Sequence, residues 1–296
     1  MRPTVIEARP APIRLTIGAR TILSVRRRLH RVAYGIDALL VGGAADLPPL
    51  GDADGWLVTS LPAGRAPVAT NAIRIERQRY ARRYVDLTIG RDAWLAGLSA
   101  NARAAIGRKL RRIEGRGMRV TAHHEPEAIA VFHAAARAIS ALTYQEKLLD
   151  AGLPEGAGFV AWLTGEAEAG RLRAWLLHIG DRPAAYLCCP ADGATLVYRW
   201  VGHDPDFASL SPGSVLLCEA IGALIDEGAF ARFDFTEGDG QHKRQFATGS
   251  VDCVDLLLLR PTIANRALAA MLGGFDGAAR LAKRAGFRRL FRPILR

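Results

Sequence analysis

Apolar and polar positions alternate most clearly between residues 172 and 201. Three short runs, 172–179, 184–189 and 195–201, are separated there by the turn-forming stretches Gly180–Pro183 and Asp192–Gly193. Period-two runs bounded by Gly, Pro and Asp predict a β-meander. Upstream the period changes to that of a helix. Ile106, Leu110 and Ile113 recur at i, i+4, i+7 behind a capping residue, Ser99, and predict a helix over 100–115 that Gly115 and Gly117 end. A short helix over 92–98 precedes it, a strand over 118–122 follows, and two more helices are expected over about 126–141 and 155–169. The loop joining those two contains Thr143, Tyr144 and Gln145. Downstream of the meander, Val215, Leu216, Ala220, Leu224 and Ile225 mark an amphipathic helix over 214–227. A strand over 230–235, a short helix over 241–247 and a strongly apolar strand over 252–259 complete the order. Helices, meander, helix, strand, helix, strand is an α+β layout around a mixed central sheet.

The first 92 residues carry weaker patterns. Strands are expected at 13–17, 38–41 and 55–59, a loop at 46–54 from its Pro, Gly and Asp content, and a strand at 84–89. At the other end, residues 262–296 hold eight Lys and Arg in the run from Arg266 to Arg296 against one acid, Asp276. Phe287, Leu290, Phe291 and Ile294 recur there at helical spacing. A basic helix with an aromatic apolar face suits a membrane interface; docked on a domain, the same helix simply turns its basic face to water.

Composition narrows the partners. Half the residues are hydrophobic, enough for a substantial core, and the formal charge is +11 with a pI near 10.1. Such a balance favours an anionic partner: a nucleotide-bearing co-substrate, a phospholipid surface or nucleic acid. No run of apolar residues reaches the roughly 18 that a spanning helix needs, and the first dozen residues lack the apolar core of a secretory signal. The expectation is a cytoplasmic protein that does not cross a membrane, with peripheral attachment to the inner face of the inner membrane through 262–296 as a possible mode. The four cysteines, Cys188, Cys189, Cys218 and Cys253, form no CxxC pair. They read as buried free thiols rather than a zinc site, the adjacent pair pointing to opposite faces of its strand.

Two stretches carry candidate chemistry. Ser211-Pro212-Gly213-Ser214 stands at the start of the 214–227 helix. The unpaired N–H groups and the dipole of a helix start attract phosphate, and an ordinary capped helix has the same residues. The second stretch, Asp234 to Phe246, sets Asp234 inside an aromatic strand, follows it with Glu237 and Asp239 in a glycine-bearing loop, and closes with His242, Lys243 and Arg244. Carboxylates at a strand end can take a proton from an amine, and the cations can hold phosphate or steady an oxyanion; a polar loop of local ion pairs is the plainer reading.

Taken in order, these pieces resemble the CelD-type GNAT acyltransferases, first annotated in cellulose biosynthesis and related to the Fem aminoacyl ligases. The resemblance rests on the S-x-N-x-R-x-x-I-x-R-K helix (Ser99–Lys109), the Tyr198 strand, the S-P-G-x-x-L helix start (Ser211–Leu216) and D-F-x-x-G-D-x-x-Y-K-x-x-F (Asp234–Phe246). It spans about residues 80–262. One position departs from the pattern, His242 standing where the family has tyrosine. The resemblance implies a GNAT fold over 93–261, preceded by a degenerate GNAT-like half in 1–92 and followed by the basic tail. It implies acyl-CoA as co-substrate, with no permanently bound cofactor and no metal, and its pyrophosphate near Ser211, Gly213, Ser214 and Val215, with Lys243 and Arg244 as further cations. Glu237 or Asp239 would act as base, Asp234 would orient the site, Lys243 would contact phosphate or the acyl carbonyl, and His242 would take the tyrosine's place as acid. The activity implied is transfer of an acyl group from CoA to an amine, with a long-chain acyl group and a sphingoid base (ceramide synthesis) as the lipid version. Two other readings stand beside it: a Fem-like ligase using aminoacyl-tRNA, against which the absence of an aromatic stacking array counts, and a non-catalytic peripheral membrane protein.

Overall fold

The computed structural model describes residues 4–17, 20–42, 46–65, 71–143, 152–238 and 240–284. In chain order the elements are β1 (Thr4–Ile17), β2 (Arg20–Ala33), α1 (Ile36–Val41), β3 (Gly55–Pro62), β4 (Ile73–Asp86), α2 (Arg91–Gly97), α3 (Ala100–Glu114), β5 (Met118–Ala122), a short 3-10 turn (Pro126–Ala128), α4 (Ile129–Leu142), α5 (Ala157–Glu168), β6 (Leu172–Ile179), β7 (Arg182–Asp192), β8 (Thr195–Val197), β9 (Trp200–His203), a second 3-10 turn (Pro205–Leu210), α6 (Pro212–Glu227), β10 (Arg232–Asp234), α7 (Gln241–Phe246), β11 (Gly249–Leu259) and α8 (Ile263–Arg284). Two compact units divide them: residues 1–80 with 251–296, and residues 81–250. The stretch 251–296 thus groups with the N-terminal residues, whereas the sequence boundaries were drawn at 92 and 261. The reason is that β11 pairs antiparallel with β3, and α8 packs in the same core.

In the first unit, β1 and β2 form an antiparallel hairpin, β2 runs parallel to β3, and β3 is antiparallel to β11. Ala11, Ile13, Leu29, Leu257, Leu259, Leu268 and Leu272 make one buried cluster. Leu268 and Leu272 lie on α8, so the apolar face of its first half is spent on the domain rather than left for a lipid surface. Phe287, Leu290, Phe291 and Ile294 lie outside the described residues. Residues 38–41, expected as a strand, belong to helix α1, whose Ile36 and Leu39 are buried one turn apart.

The second unit is a sheet covered on both faces. From the last six residues of β4 the order runs β10, β8, β7, β6, β5, with β9 also on β7. All pairs are antiparallel except β10 with β8. Alternation along β6 and β7 assigns the two faces. Trp175, Leu177, Leu187 and Cys189 meet α2, α3 and α6, while Ala174, Leu176, Tyr186 and Cys188 meet α4 and α5. The adjacent cysteines do point to opposite faces, and all four are buried and outside any disulfide. Burial raises the Cys188 and Cys189 thiols well above their ordinary range. The Ser99 hydroxyl caps α3 by accepting from the Ala102 N–H at 3.1 Å. Strand β4 ends at Asp86, short of the expected 89, because the Asp86 carboxylate accepts from both the N–H and the hydroxyl of Thr88 and turns the chain.

The expected single strand over 195–201 is broken. Strand β8 ends at Val197 and β9 begins at Trp200. Strand β10 is likewise shorter than the expected 230–235. It pairs with β8 up to Asp234↔Val197, and one further rung, Tyr198 N–H to Asp234 O at 2.9 Å, closes that ladder. Asp234 is 1% exposed. Its carboxylate accepts from Arg82 Nε at 3.1 Å and Arg82 Nη2 at 2.5 Å, and from the Thr236 N–H at 2.9 Å. Arg82 is itself buried, so the pair fixes the end of β10 against β4 in a medium where neither charge is tolerated alone.

Two stability predictions follow from this packing. Arg82→Met strands a buried carboxylate and should cost about 3–5 kcal/mol in chemical denaturation, with most of the loss recovered in Arg82→Met/Asp234→Asn; equal losses in the two variants would refute the pairing. His124, whose ring stands edge-on to Trp175 and accepts from the Ala174 N–H, is held down to about 4 by burial and by Arg173. The unfolded imidazole takes up its proton near 6.5 while the folded one stays neutral. Stability is therefore full above pH 6.5 and lost as pH falls toward 4, by roughly 2 kcal/mol once solvent access is discounted. His124→Asn, which keeps an acceptor, should flatten that part of the pH–stability curve.

Candidate functional site

Where β10 leaves β8, a cleft of about 860 Å³ opens in the second unit. One wall is the broken strand, Tyr198 to His203; the facing walls are the start of α6 and the segment from Thr236 to Lys243. Gly202 is demanded by packing, since a Cβ there would stand 2.6 Å from Tyr186 Cε1, the residue directly opposite it on β7. Thr236 adopts φ +60°, outside the usual range for a residue with a side chain, and turns the chain just past the end of β10. The parting is thus built by two local features, the Tyr198–Arg199 break and the Asp234–Thr236 turn.

At the mouth, α6 begins with Ser211 in a left-handed conformation (φ 57°, ψ 48°) and Pro212 in its first turn. Proline fits there because its missing N–H is one that the helix leaves unpaired. Ser211, Gly213 and Ser214 all line the cleft. Val215, grouped with them on sequence, is 1% exposed and turns its side chain into the core. A cation is present at this helix start: Lys109 Nζ, from α3, donates to Ser214 Oγ at 3.3 Å. Sequence placed Lys109 within the basic helix over 100–115 and assigned it no role. Its spacing three residues after the buried Ile106 sets it beside the apolar stripe, and the helix–helix packing aims it at α6.

The segment after β10 distributes the other candidates unevenly. His242 and Lys243 line the cleft. The His242 ring centroid lies 5.7 Å from that of Tyr198 and 6.4 Å from that of Phe235. Burial, and then the neighbouring Lys243 charge, lower its pKa below 6.5, so it is neutral at pH 7. Its Nε2 is buried with no hydrogen-bond partner among the described residues, an unusual condition for a buried imidazole. Lys243 is 9% exposed and donates to the Glu237 carbonyl. Glu237 itself is 43% exposed in its side chain, lies outside the cleft lining, and sits 3.8 Å from Arg82 Nη1. Arg244 is exposed and also outside the lining, Asp234 is locked to Arg82, and Asp239 falls outside the described residues. Among the described residues neither Asp nor Glu lines the cleft, while Arg199, His203, His242 and Lys243 do. Tyr198 brings a phenol into the cleft from the broken strand. Burial raises its pKa, so it remains a hydrogen-bond donor at any working pH. The sequence pattern marked Tyr198 only as a strand residue; the missing tyrosine at position 242 thus has a neighbour that carries the same group.

Among the described residues no cluster of His, Cys, Asp and Glu has the geometry of a metal site, and no helix is long and apolar enough to cross a membrane. The sequence has no significant match among curated proteins. Solved structures are similar in fold at low identity. The C-terminal domain of a putative lysylphosphatidylglycerol synthetase from Agrobacterium fabrum is 10% identical with a TM-score of 0.51, covering 92% of this chain and 88% of that one. A conserved protein of unknown function from Bacteroides thetaiotaomicron is 14% identical with a TM-score of 0.49, covering 80% and 82%. FemX is 10% identical with a TM-score of 0.48, covering 85% and 88%. The family described as acetyltransferase (GNAT) domain matches residues 100–244, the stretch from α3 to α7 that builds every wall of the cleft; the protein has a GNAT-like fold, a mixed sheet with helices on its faces.

Proposed function

We propose that the protein is an acyl-CoA-dependent N-acyltransferase whose donor lies in the cleft between β9 and the segment after β10. The observation that carries this reading is the coincidence of the strand parting at the Tyr198–Asp234 rung with a helix start and a cation, Lys109, at its mouth. Free N–H groups, a dipole and an ammonium suit a pyrophosphate. The strands beyond the last rung offer unpaired backbone groups to an extended amide-bearing chain such as pantetheine.

In this reading the amine attacks the thioester carbonyl directly. His242 receives the ammonium proton, its neutral ring being ready to accept at pH 7, and Lys243 stabilises the carbonyl oxygen as it becomes negative. The Tyr198 phenol donates a hydrogen bond to the departing sulfur. Among the described residues this puts the base at His242 rather than Glu237 and the acid at Tyr198 rather than His242, while Asp239 lies outside the described residues. Asp234 is a positioning residue that acts through Arg82 and Thr236. A long-chain acyl-CoA with a sphingoid amine is the lipid version of the same reaction. A second reading, an aminoacyl transferase of the Fem or lysylphosphatidylglycerol synthetase kind using aminoacyl-tRNA, is favoured by the solved structure that matches 92% of the chain across both units.

Acetyl-CoA and palmitoyl-CoA should each raise the melting temperature, and Lys109→Met/Ser214→Ala should weaken that response about tenfold in concentration, one charge-assisted contact's worth. No response to any CoA ester, with stabilisation by aminoacyl-tRNA, would replace the first reading by the second. Incubation with palmitoyl-CoA and sphinganine, read by amide formation, tests the lipid version. His242→Gln should lower kcat about 10²–10⁴-fold. The wild-type kcat/KM should fall only below pH 6.5, because the lowered pKa keeps the base free above it, and the variant should lose that acid limb. A variant that keeps both rate and limb would remove His242 from the chemistry.

A further inference from the structure

The positive charge of the chain is not spread over it. Residues 1–80 and 251–296 hold 21 Lys and Arg against 9 Asp and Glu, while residues 81–250 hold 19 against 20. The first unit therefore carries +12 and the second −1. The β1–β2 hairpin, residues 4–33, contributes seven arginines and a single acid, Glu7.

Register sorts the hairpin into two faces. Arg9↔Leu29, Ala11↔Arg27 and Ile13↔Val25 face α8, with Leu29, Ala11 and Ile13 buried and Arg27 Nε donating to Asn265 Oδ1 at 2.8 Å. Pro10↔Arg28, Pro12↔Arg26 and Arg14↔Ser24 make the opposite face, and all six are exposed. Among the described residues Arg14 and Arg26 form no ion pair, whereas Arg28 meets Asp52. Nearer the hairpin turn, which Arg20 follows, Ile22 is 60% and Leu23 41% exposed; Leu23 pairs with Leu15, in phase with Ile13↔Val25, and Ile22 falls in the register shift beside it. The rim of the sheet is closed to another strand: β1 lies at its edge, and Pro10 and Pro12 have no N–H to offer. A partner must therefore meet the face and the tip rather than the edge.

We propose that this hairpin docks the protein on an anionic phospholipid bilayer, with Arg14 and Arg26 among the headgroup phosphates and Ile22 and Leu23 entering the interface. Cations beside exposed aliphatics complement a bilayer surface, negative above and apolar below. Single-stranded RNA readers instead present aromatic platforms, and residues 4–33 contain no Phe, Tyr or Trp. The hairpin does not depend on the reaction proposed for the cleft.

The test is co-sedimentation of the full-length protein with vesicles of phosphatidylcholine alone or mixed with phosphatidylglycerol, beside binding to a transfer RNA. Binding is expected only to the mixed vesicles and should weaken steeply with salt. Arg14→Gln/Arg26→Gln should weaken it about thirtyfold, from the contribution of two basic residues near the surface. Ile22→Ser/Leu23→Ser should weaken it too, and more so at high salt. Thermal unfolding of each variant, expected to match the wild type, checks that it remains folded. Tail substitutions Arg288→Gln/Arg289→Gln should leave vesicle binding within about twofold. Binding that is lost with the tail pair but not the hairpin pairs, or equal on both vesicle types, or seen with RNA and not with vesicles, would overturn the proposal.

Discussion

The cleft depends on a buried ion pair. Arg82 comes from β4 and Asp234 from the end of β10, and each is nearly inaccessible to water. Two charges in such a place are costly unless each satisfies the other, so the pair defines where β10 must stop. The same carboxylate that accepts from Arg82 also accepts from the Thr236 N–H. That bond draws the chain into its positive-φ turn, and from there it leaves β8 for α7. Strands that would otherwise zip together part at one rung, and the space between them becomes available to a ligand.

The chemistry of that space follows from which side chains the turn carries inward. His242 and Lys243 arrive on the first turn of α7, while Glu237, the more obvious acid on sequence, is carried out toward solvent. Among the described residues, those lining the cleft bring cations and imidazoles and no carboxylate, which suits the anionic donor and the histidine base proposed above. On the opposite side, α3 delivers Lys109 to the start of α6. Packing of Ile106 and Ile113 is what fixes that helix, so burial on one side positions charge on the other.

Much of this was legible in the sequence where local pattern governs structure. The Ser99 cap, the meander, the helix starting at Ser211-Pro212 and the opposed Cys188 and Cys189 all follow from periodicity and turn chemistry within a few residues. The first unit was harder to read. Strand β1 contains prolines that argue against a strand unless it lies at an edge, and β2 hides its buried Leu29 and Val32 behind three consecutive arginines. The break at Tyr198 was missed because 195–201 alternates well. At the break the chain passes from pairing with β10 along β8 to pairing with β7 along β9, and the sequence pattern does not record that change of partner. Likewise, Arg82 and Asp234 lie 152 positions apart, and Lys109 and Ser214 lie 105 apart. Only the folded chain brings them together.

Hydrogen–deuterium exchange with and without a saturating CoA ester tests the central claim most directly, because it reads where the donor lies. The account predicts slower exchange at 198–203, 211–216 and 236–243, with 172–179 on the far side of the sheet unchanged. Protection confined to residues outside those three segments, with the cleft exchanging as freely as before, would contradict it.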